Sequence, residues 1–202
     1  MSKFITVEGT DLAGKSSVII PYLQSKLDNE KTLFVADMKT GKISEKVRAI
    51  FMDPECITEN TDWRTIAFLA SVARSDMVYQ DIIPALKAGK TVVCDRYVDT
   101  SFVYNLKSDT TPIDTILNLS THLVYPNIII FAYCSYEELV KRKDLRDDNN
   151  QWDLADADAY NSKLERYREQ LNSRNATVIE LNTSCSIDEV YKMIDEQVLS
   201  LI

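Results

Sequence analysis

Residues 9–16 read G-T-D-L-A-G-K-S. Gly9, Gly14, Lys15 and Ser16 fall on the fixed positions of G-x-x-x-x-G-K-[ST], a phosphate-binding loop. Such a loop constrains the fold because it works only between a buried strand and a helix. Residues 4–8 (F-I-T-V-E) are mostly apolar and β-branched, as a buried parallel strand requires. Val18, Ile19, Tyr22, Leu23 and Leu27 follow at helical spacing. Glycine lets successive N–H groups turn towards one anion, and the helix aims its positive end at the same place. Across Gly9, Asp11, Leu12, Ala13, Gly14, Lys15, Ser16 and Ser17 this predicts a nucleotide phosphate site. Lys15 would reach the outer phosphates, and Ser16 would offer its hydroxyl to Mg²⁺. Pro21 should remove a helix hydrogen bond and bend the axis.

Beyond the loop, apolar β-type runs alternate with helical ones. Strands are predicted at residues 4–8, 32–36, 91–95, 127–133 and 176–181. Helices are predicted at 15–28, 43–52, 62–88, 112–120, 136–146, 154–173 and 187–201. This order implies a P-loop NTPase fold of the α/β class. A five-stranded parallel sheet would be flanked by helices on both faces, in one domain over residues 1–202. A net charge of −8 argues against a nucleic-acid or anionic-membrane partner. No apolar run is long enough to span a bilayer and no signal-peptide pattern stands at the start, so a cytoplasmic location is expected. The four cysteines are too far apart to form a metal motif, and buried reduced thiols are expected. His122 lacks His or Cys neighbours for a zinc site.

In such folds ligands bind at the carboxyl ends of strands. The predicted strand 91–95 ends in Asp95, which is placed to support the Mg²⁺ shell. Arg96, Tyr97, Thr100, Ser101, Tyr104 and Asn105 follow, a concentration of charge, hydroxyls and aromatic rings. Within helix 62–88, residues 66–73 are apolar nearly all round, which fits either a core-crossing helix or a subunit contact. Residues 141–151 are charged and then polar. They read either as a solvated helix end or as a lid that brings arginines to a phosphoryl group.

These motifs together resemble the thymidylate kinases, P-loop nucleoside monophosphate kinases, over nearly the whole chain. The opening F-I-T-V-E-G-T-D-L-A-G-K-S-S is similar to that family's strand and loop. The D-R-Y-V-D-T-S-F-V-Y-N run of residues 95–105 is similar to its D-R-[YH]…S…A-Y-Q stretch. Tyr160 and Tyr167 match the helix after its lid.

The resemblance implies transfer of the γ-phosphoryl group from Mg·ATP to a deoxypyrimidine 5′-monophosphate, dTMP above all. It implies a lid at about 141–155 and a homodimer through helix 62–88. Lys15, Arg96, Arg142, Arg146 and Asp95 would be catalytic, with Ser16 and Asp95 serving the metal. Asp11, Asp37, Arg48, Phe68, Arg74, Arg96, Thr100, Ser101, Tyr104 and Asn105 would hold the acceptor. Within that set, Asp11 would meet the 3′-hydroxyl, Arg96 and Arg48 the phosphate, and Arg74 the base edge. Tyr104 would crowd the sugar's 2′ side.

Leu12 stands where some members carry a catalytic arginine, so the lid arginines would supply that charge. The family's base-stacking phenylalanine aligns with Ala70, its R-E-P-G-G stretch with residues 36–40, and its glutamine with Asn105. The lid lacks the usual D-R pair at residues 149–151. These departures leave open a kinase for dUMP or 5-substituted dUMP, a deoxynucleoside kinase with Glu8 or Asp37 as base, and a catalytically silent ATP binder.

Overall fold

The structure, a computed structural model, describes residues 2–104, 113–145 and 156–202. Strands β1 (Phe4–Gly9), β2 (Thr32–Ala36), β3 (Thr91–Asp95), β4 (Ile128–Tyr133) and β5 (Thr177–Asn182) form one parallel sheet. Their order is β2-β3-β1-β4-β5. The described helices are α1 (Ile20–Lys26), α2 (Lys42–Met52), α3 (Trp63–Met77), α4 (Ile83–Lys87), α5 (Val98–Tyr104), α6 (Ile113–Ser120), α7 (Tyr136–Asp144), α8 (Ala157–Asn172) and α9 (Ile187–Gln197). The predicted fold class and all five strands are therefore present. The short α5, hidden in sequence by its length and its Asp99 and Thr100, was not expected.

Strand alternation divides the core. Phe4 of β1 and Val92 and Cys94 of β3 face one side, where Met77, Val98, Phe102 and Ile116 pack on them. Ile5, Val7, Val93 and Ile130 face the other side, against Ile19, Leu23, Val190 and Ile194. On the first side, Ile129 and Phe131 of β4 meet Leu139 of α7 and Tyr160, Leu164, Tyr167 and Leu171 of α8. Connections leaving β1 and β3 run to opposite sides of the sheet. This opens a crevice at the carboxyl ends of these two neighbours, whose register sets Val7 beside Asp95.

Both prolines that threaten helices follow a wide turn. A π-helical turn at Lys15–Ile19 precedes α1, where Ile20 N–H reaches Lys15 O. A second at Val78–Ile82 precedes α4, where Ile83 N–H reaches Val78 O. A proline ring clashes with the carbonyl four residues earlier. For Pro21 and Pro84 that carbonyl belongs to Ser17 and Gln80, inside the widened turn, which gives the ring room. The expected single helix 62–88 is thus α3, a π turn and α4 in succession. Among the cysteines, Cys94 and Cys134 are buried as expected, whereas Cys56 and Cys185 are exposed; all four are free thiols.

Gly9 ends β1 at φ 139°, and a Cβ there would sit 2.0 Å from Ala132 O. Only glycine lets the loop leave β1 this close to β4. Gly9→Ala should therefore destabilise the fold by roughly 3 kcal/mol or more, read as a fall in the denaturant midpoint at unchanged m.

Candidate active site

A cavity of about 470 Å³ opens at the carboxyl ends of β1 and β3, flanked by α2 and α3. The loop after β1 supplies one end through Asp11, Leu12, Gly14, Lys15, Ser16 and Ser17. Left-handed backbone at Leu12 (φ 62°) and Gly14 (φ 76°) makes its tight curve. Gly9 and Ala13 shape the loop and are not among the residues facing the cavity. Lys15 is buried, and its Nζ donates to Thr10 O at 2.5 Å. Burial, together with the nearby Arg96 charge, pushes the Lys15 ammonium down to about 7, against the pull of Asp11, Asp95 and Glu8. An arriving phosphate would restore the charge that burial disfavours.

Ser16 Oγ donates to Asp95 Oδ2 at 2.5 Å, so the loop hydroxyl and the β3 carboxylate meet at one point. Two hard oxygen donors beside a phosphate loop suit Mg²⁺, which takes few protein ligands and completes its shell with phosphates and water. No group of three or more His, Cys, Asp or Glu side chains that could by itself hold a metal ion is found among the described residues.

Arg96 stands at the centre. Its backbone is left-handed (φ 66°), and its N–H donates to Val7 O at 3.0 Å. This turn aims the guanidinium back over the loop. Nη1 donates to Gly9 O at 2.8 Å and Nη2 to Asp11 Oδ1 at 2.6 Å. Tyr104 OH donates to the other Asp11 oxygen at 3.0 Å. Burial alone would raise the Asp11 carboxyl; Arg96, Lys15 and the Tyr104 hydroxyl outweigh it and hold it low.

Beneath Arg96 lies Glu8, which the motif reading weighed only as a base. Its Oε1 accepts from Tyr97 N–H at 2.8 Å and its Oε2 from the Thr100 hydroxyl at 2.7 Å. Full burial, with Asp99 nearby, pushes its carboxyl up to about 8. At the far end Arg74 donates from Nε and Nη2 to Asp37 Oδ2 at 3.1 and 2.5 Å, both side chains being buried.

Comparison with known proteins fits this geometry. The thymidylate kinase family model matches residues 7–194. The thymidylate kinase of Staphylococcus epidermidis is 31% identical over 209 residues, covering 100% of this chain and 98% of that one. The chain belongs to the thymidylate kinase family. A thymidylate kinase of Limosilactobacillus reuteri is 42% identical over 105 residues. That match spans 50% of this chain and 48% of the relative, about half the length of each. A solved thymidylate kinase from Ehrlichia chaffeensis shares the fold, with a TM-score of 0.74 at 17% identity over 96% and 97% of the two chains. The family match and the shared fold agree over most of the chain.

Set against the thymidylate kinase pattern, most expected site residues converge. Asp11, Asp37, Arg48, Arg74, Asp95, Arg96, Thr100, Ser101 and Tyr104 all line the cavity. Phe68 does not. It lies half exposed, outside the cavity lining. Ala70, two residues on and so about 200° round the helix, takes the inward position, with Arg74 one turn later.

Arg142 is also placed differently from a free lid arginine. It braces the loop from behind, donating to Leu12 O at 2.8 Å, to Thr183 Oγ1 at 3.2 Å and to Thr183 O. Glu138 holds its Nε at 2.9 Å. Asn105, Arg146 and most of the expected lid lie outside the described residues. Sequence reasoning missed Phe51, Met52, Met38 and Lys39, which also line the cavity. The signal for two of them was present, since Arg48, Phe51 and Met52 share one helix face.

Because the Glu8 carboxyl is raised in the fold, its burial is tolerated when it is protonated. That contribution is lost as pH rises through about 8. Glu8→Gln should therefore gain stability relative to the parent protein between pH 6 and 9, by ~1–3 kcal/mol. Parallel urea titrations at the two pH values would measure the gain, and a pH-independent difference would contradict it.

Proposed function

We propose that this protein transfers the γ-phosphoryl group of Mg·ATP to a deoxypyrimidine nucleoside 5′-monophosphate, first of all dTMP, giving the diphosphate. The observation that carries this reading is one continuous cavity. Lys15 and the Ser16–Asp95 pair stand at its donor end, Arg96 in the middle, and Arg48, Asp37 and Arg74 at its acceptor end. The relatives' family supports kinase chemistry on nucleotides; the donor and the base are this reading's own additions.

The acceptor phosphate oxygen is already a competent nucleophile, so no strong base is required. Rate then comes from in-line positioning and from neutralising charge spread over the transferred group. Lys15 would hold the outer ATP phosphates. Ser16 and Asp95 would hold Mg²⁺, which would neutralise charge on the phosphates. Arg96 would exchange part of its Asp11 contact for the acceptor phosphate. Asp11, released, would accept from the 3′-hydroxyl, and Tyr104 would stand on the 2′ side. Arg142 would keep the loop in shape, and Arg146, which lies outside the described residues, would bring further charge.

A second reading is favoured by Ala70, whose methyl leaves more room than a phenyl ring would. On this reading the preferred acceptor is dUMP or a 5-substituted dUMP. Without the acceptor-site charges, a nucleoside kinase or a silent binder would fit better; Arg48 and Arg96 in one cavity favour a phosphorylated acceptor.

ATP consumption with Mg²⁺ should be measured against dTMP, dUMP, 5-hydroxymethyl-dUMP, UMP, dCMP, dGMP and thymidine. Turnover is expected with a deoxypyrimidine monophosphate, and Lys15→Ala should lower kcat by about 10²–10³-fold or more while the protein remains folded. Turnover of thymidine alone, or of nothing, would overturn the reading.

Pairing of two copies through α3 is also proposed. Phe68, Val72 and Tyr79 are exposed along one stripe that runs from this helix into the following π turn, and Ile113 and Leu117 of the neighbouring α6 are exposed as well. Sedimentation should report a dimer, and Val72→Glu should shift it to monomer. No described helix is long and apolar enough to cross a membrane.

A further inference from the structure

Helix α8 meets α5 through three polar side chains at helical spacing. Tyr167 and Gln170 lie on α8, and Arg174 follows just past its C-cap, Ser173. The Tyr167 hydroxyl lies 3.3 Å from Arg96 Nη1 and donates to Gly9 O at 3.2 Å. Gln170 Nε2 and Arg174 Nε both donate to Asp99 Oδ1, at 3.3 and 2.7 Å. The Asp99 side chain is fully buried, and that of Arg174 is 14% exposed. Two rings pack on the Arg174 guanidinium. Its carbon lies 5.2 Å from the ring centroid of Phe102, one turn on from Asp99, and 4.8 Å from that of Tyr125. Neither Asp99 nor Arg174 lines the cavity.

Asp99 precedes Thr100 in the first turn of α5. The Thr100 hydroxyl donates to Glu8 Oε2 at 2.7 Å and lies 3.5 Å from Arg96 Nη1. A grip on Asp99 is therefore a grip on the turn that carries both Arg96 and Thr100. A buried ion pair commonly adds no stability over apolar residues of the same volume. What it adds here is direction, because a planar guanidinium packed on two rings meets a carboxylate only along its edge.

We propose that Asp99 and Arg174 are positioning residues for Arg96: their pair fixes the start of α5 against α8, and with it the guanidinium over the phosphate loop. The proposal rests on the reading of Arg96 as the cation that receives the acceptor phosphate. Arg96 leaves β3 with left-handed backbone, so a small rotation of the turn after it swings the whole side chain. Phosphoryl transfer depends on where that charge stands, and a misplacement of about 1 Å costs up to about 10²-fold in rate.

The test removes both charges at once, since either residue alone would leave its partner buried and unpaired. Asp99→Leu with Arg174→Met keeps the volume and the apolar stem. Thermal unfolding should place this double variant near the parent protein. Its kcat with dTMP should fall by about tenfold or more, with the KM for ATP within about twofold. Leu171→Ala, a loss of packing on the same helix, should leave kcat within about twofold of the parent. A second readout needs no turnover. The hydrogen bonds from Arg96 Nη1 to Gly9 O and from Nη2 to Asp11 hinder rotation of its guanidinium, so nitrogen NMR should resolve its two Nη signals, assigned by their absence in Arg96→Lys. In the double variant they should merge.

A double variant with the parent's kcat, or with resolved Nη signals, would overturn the proposal while leaving the kinase reading intact. An equal fall of kcat in Leu171→Ala would overturn it too, as would loss of the fold in the double variant, which would make the pair a stability element. Absence of turnover by the parent protein would overturn the kinase reading, and the Nη signals would still decide the positioning.

Discussion

A buried carboxyl group holds the two halves of this site in register. Glu8 ends the core of β1 and accepts hydrogen bonds from Tyr97 N–H, just before α5, and from the Thr100 hydroxyl in its first turn. The chain leaves β3 through a left-handed Arg96, a conformation that is unfavourable for a non-glycine residue. Glu8 satisfies the backbone donor that this turn would otherwise bury without a partner. The guanidinium is thereby fixed over the phosphate loop, against Gly9 O and Asp11. A strand residue in the core thus decides where the central cation of the cavity points.

Several of the polar side chains that line the cavity are bound to one another or to the loop. Arg96 is bound to Asp11, Arg74 to Asp37, Ser16 to Asp95 and Lys15 to Thr10 O. Leaving any of these cations buried alone would cost several kcal/mol. On the proposed reading a nucleotide would exchange these partners, which would limit the ordering cost of binding. The acceptor half also carries the clearest departure from the family pattern. A small residue stands on α3 where a ring is usual, and α2 contributes Phe51 to the same lining.

The bracing of the phosphate loop has a similar logic. Arg142 reaches from α7 to the carbonyl of Leu12 and to Thr183 in the turn after β5, while Thr183 donates to Ala13 O. Carbonyls turned outward by the left-handed loop need donors: Arg142 serves Leu12 O, Thr183 serves Ala13 O and Lys15 serves Thr10 O. Its charge then serves the shape of the loop as much as any charge on phosphate.

The fold, the phosphate loop and the Asp95–Arg96 pair were legible in the sequence because each is a local pattern. Period-two and helical repeats mark elements, and G-x-x-x-x-G-K-S sets its own backbone. The inward places of Arg48, Arg74 and Tyr104 came from the family resemblance. The inward turn of Phe51, the outward turn of Phe68, the retreat of Arg142 behind the loop and the role of Glu8 were decided only by tertiary structure. A helix sequence states which residues share a face. Which face looks into the cavity depends on the sheet and helices it packs against, and those contacts lie far away along the chain.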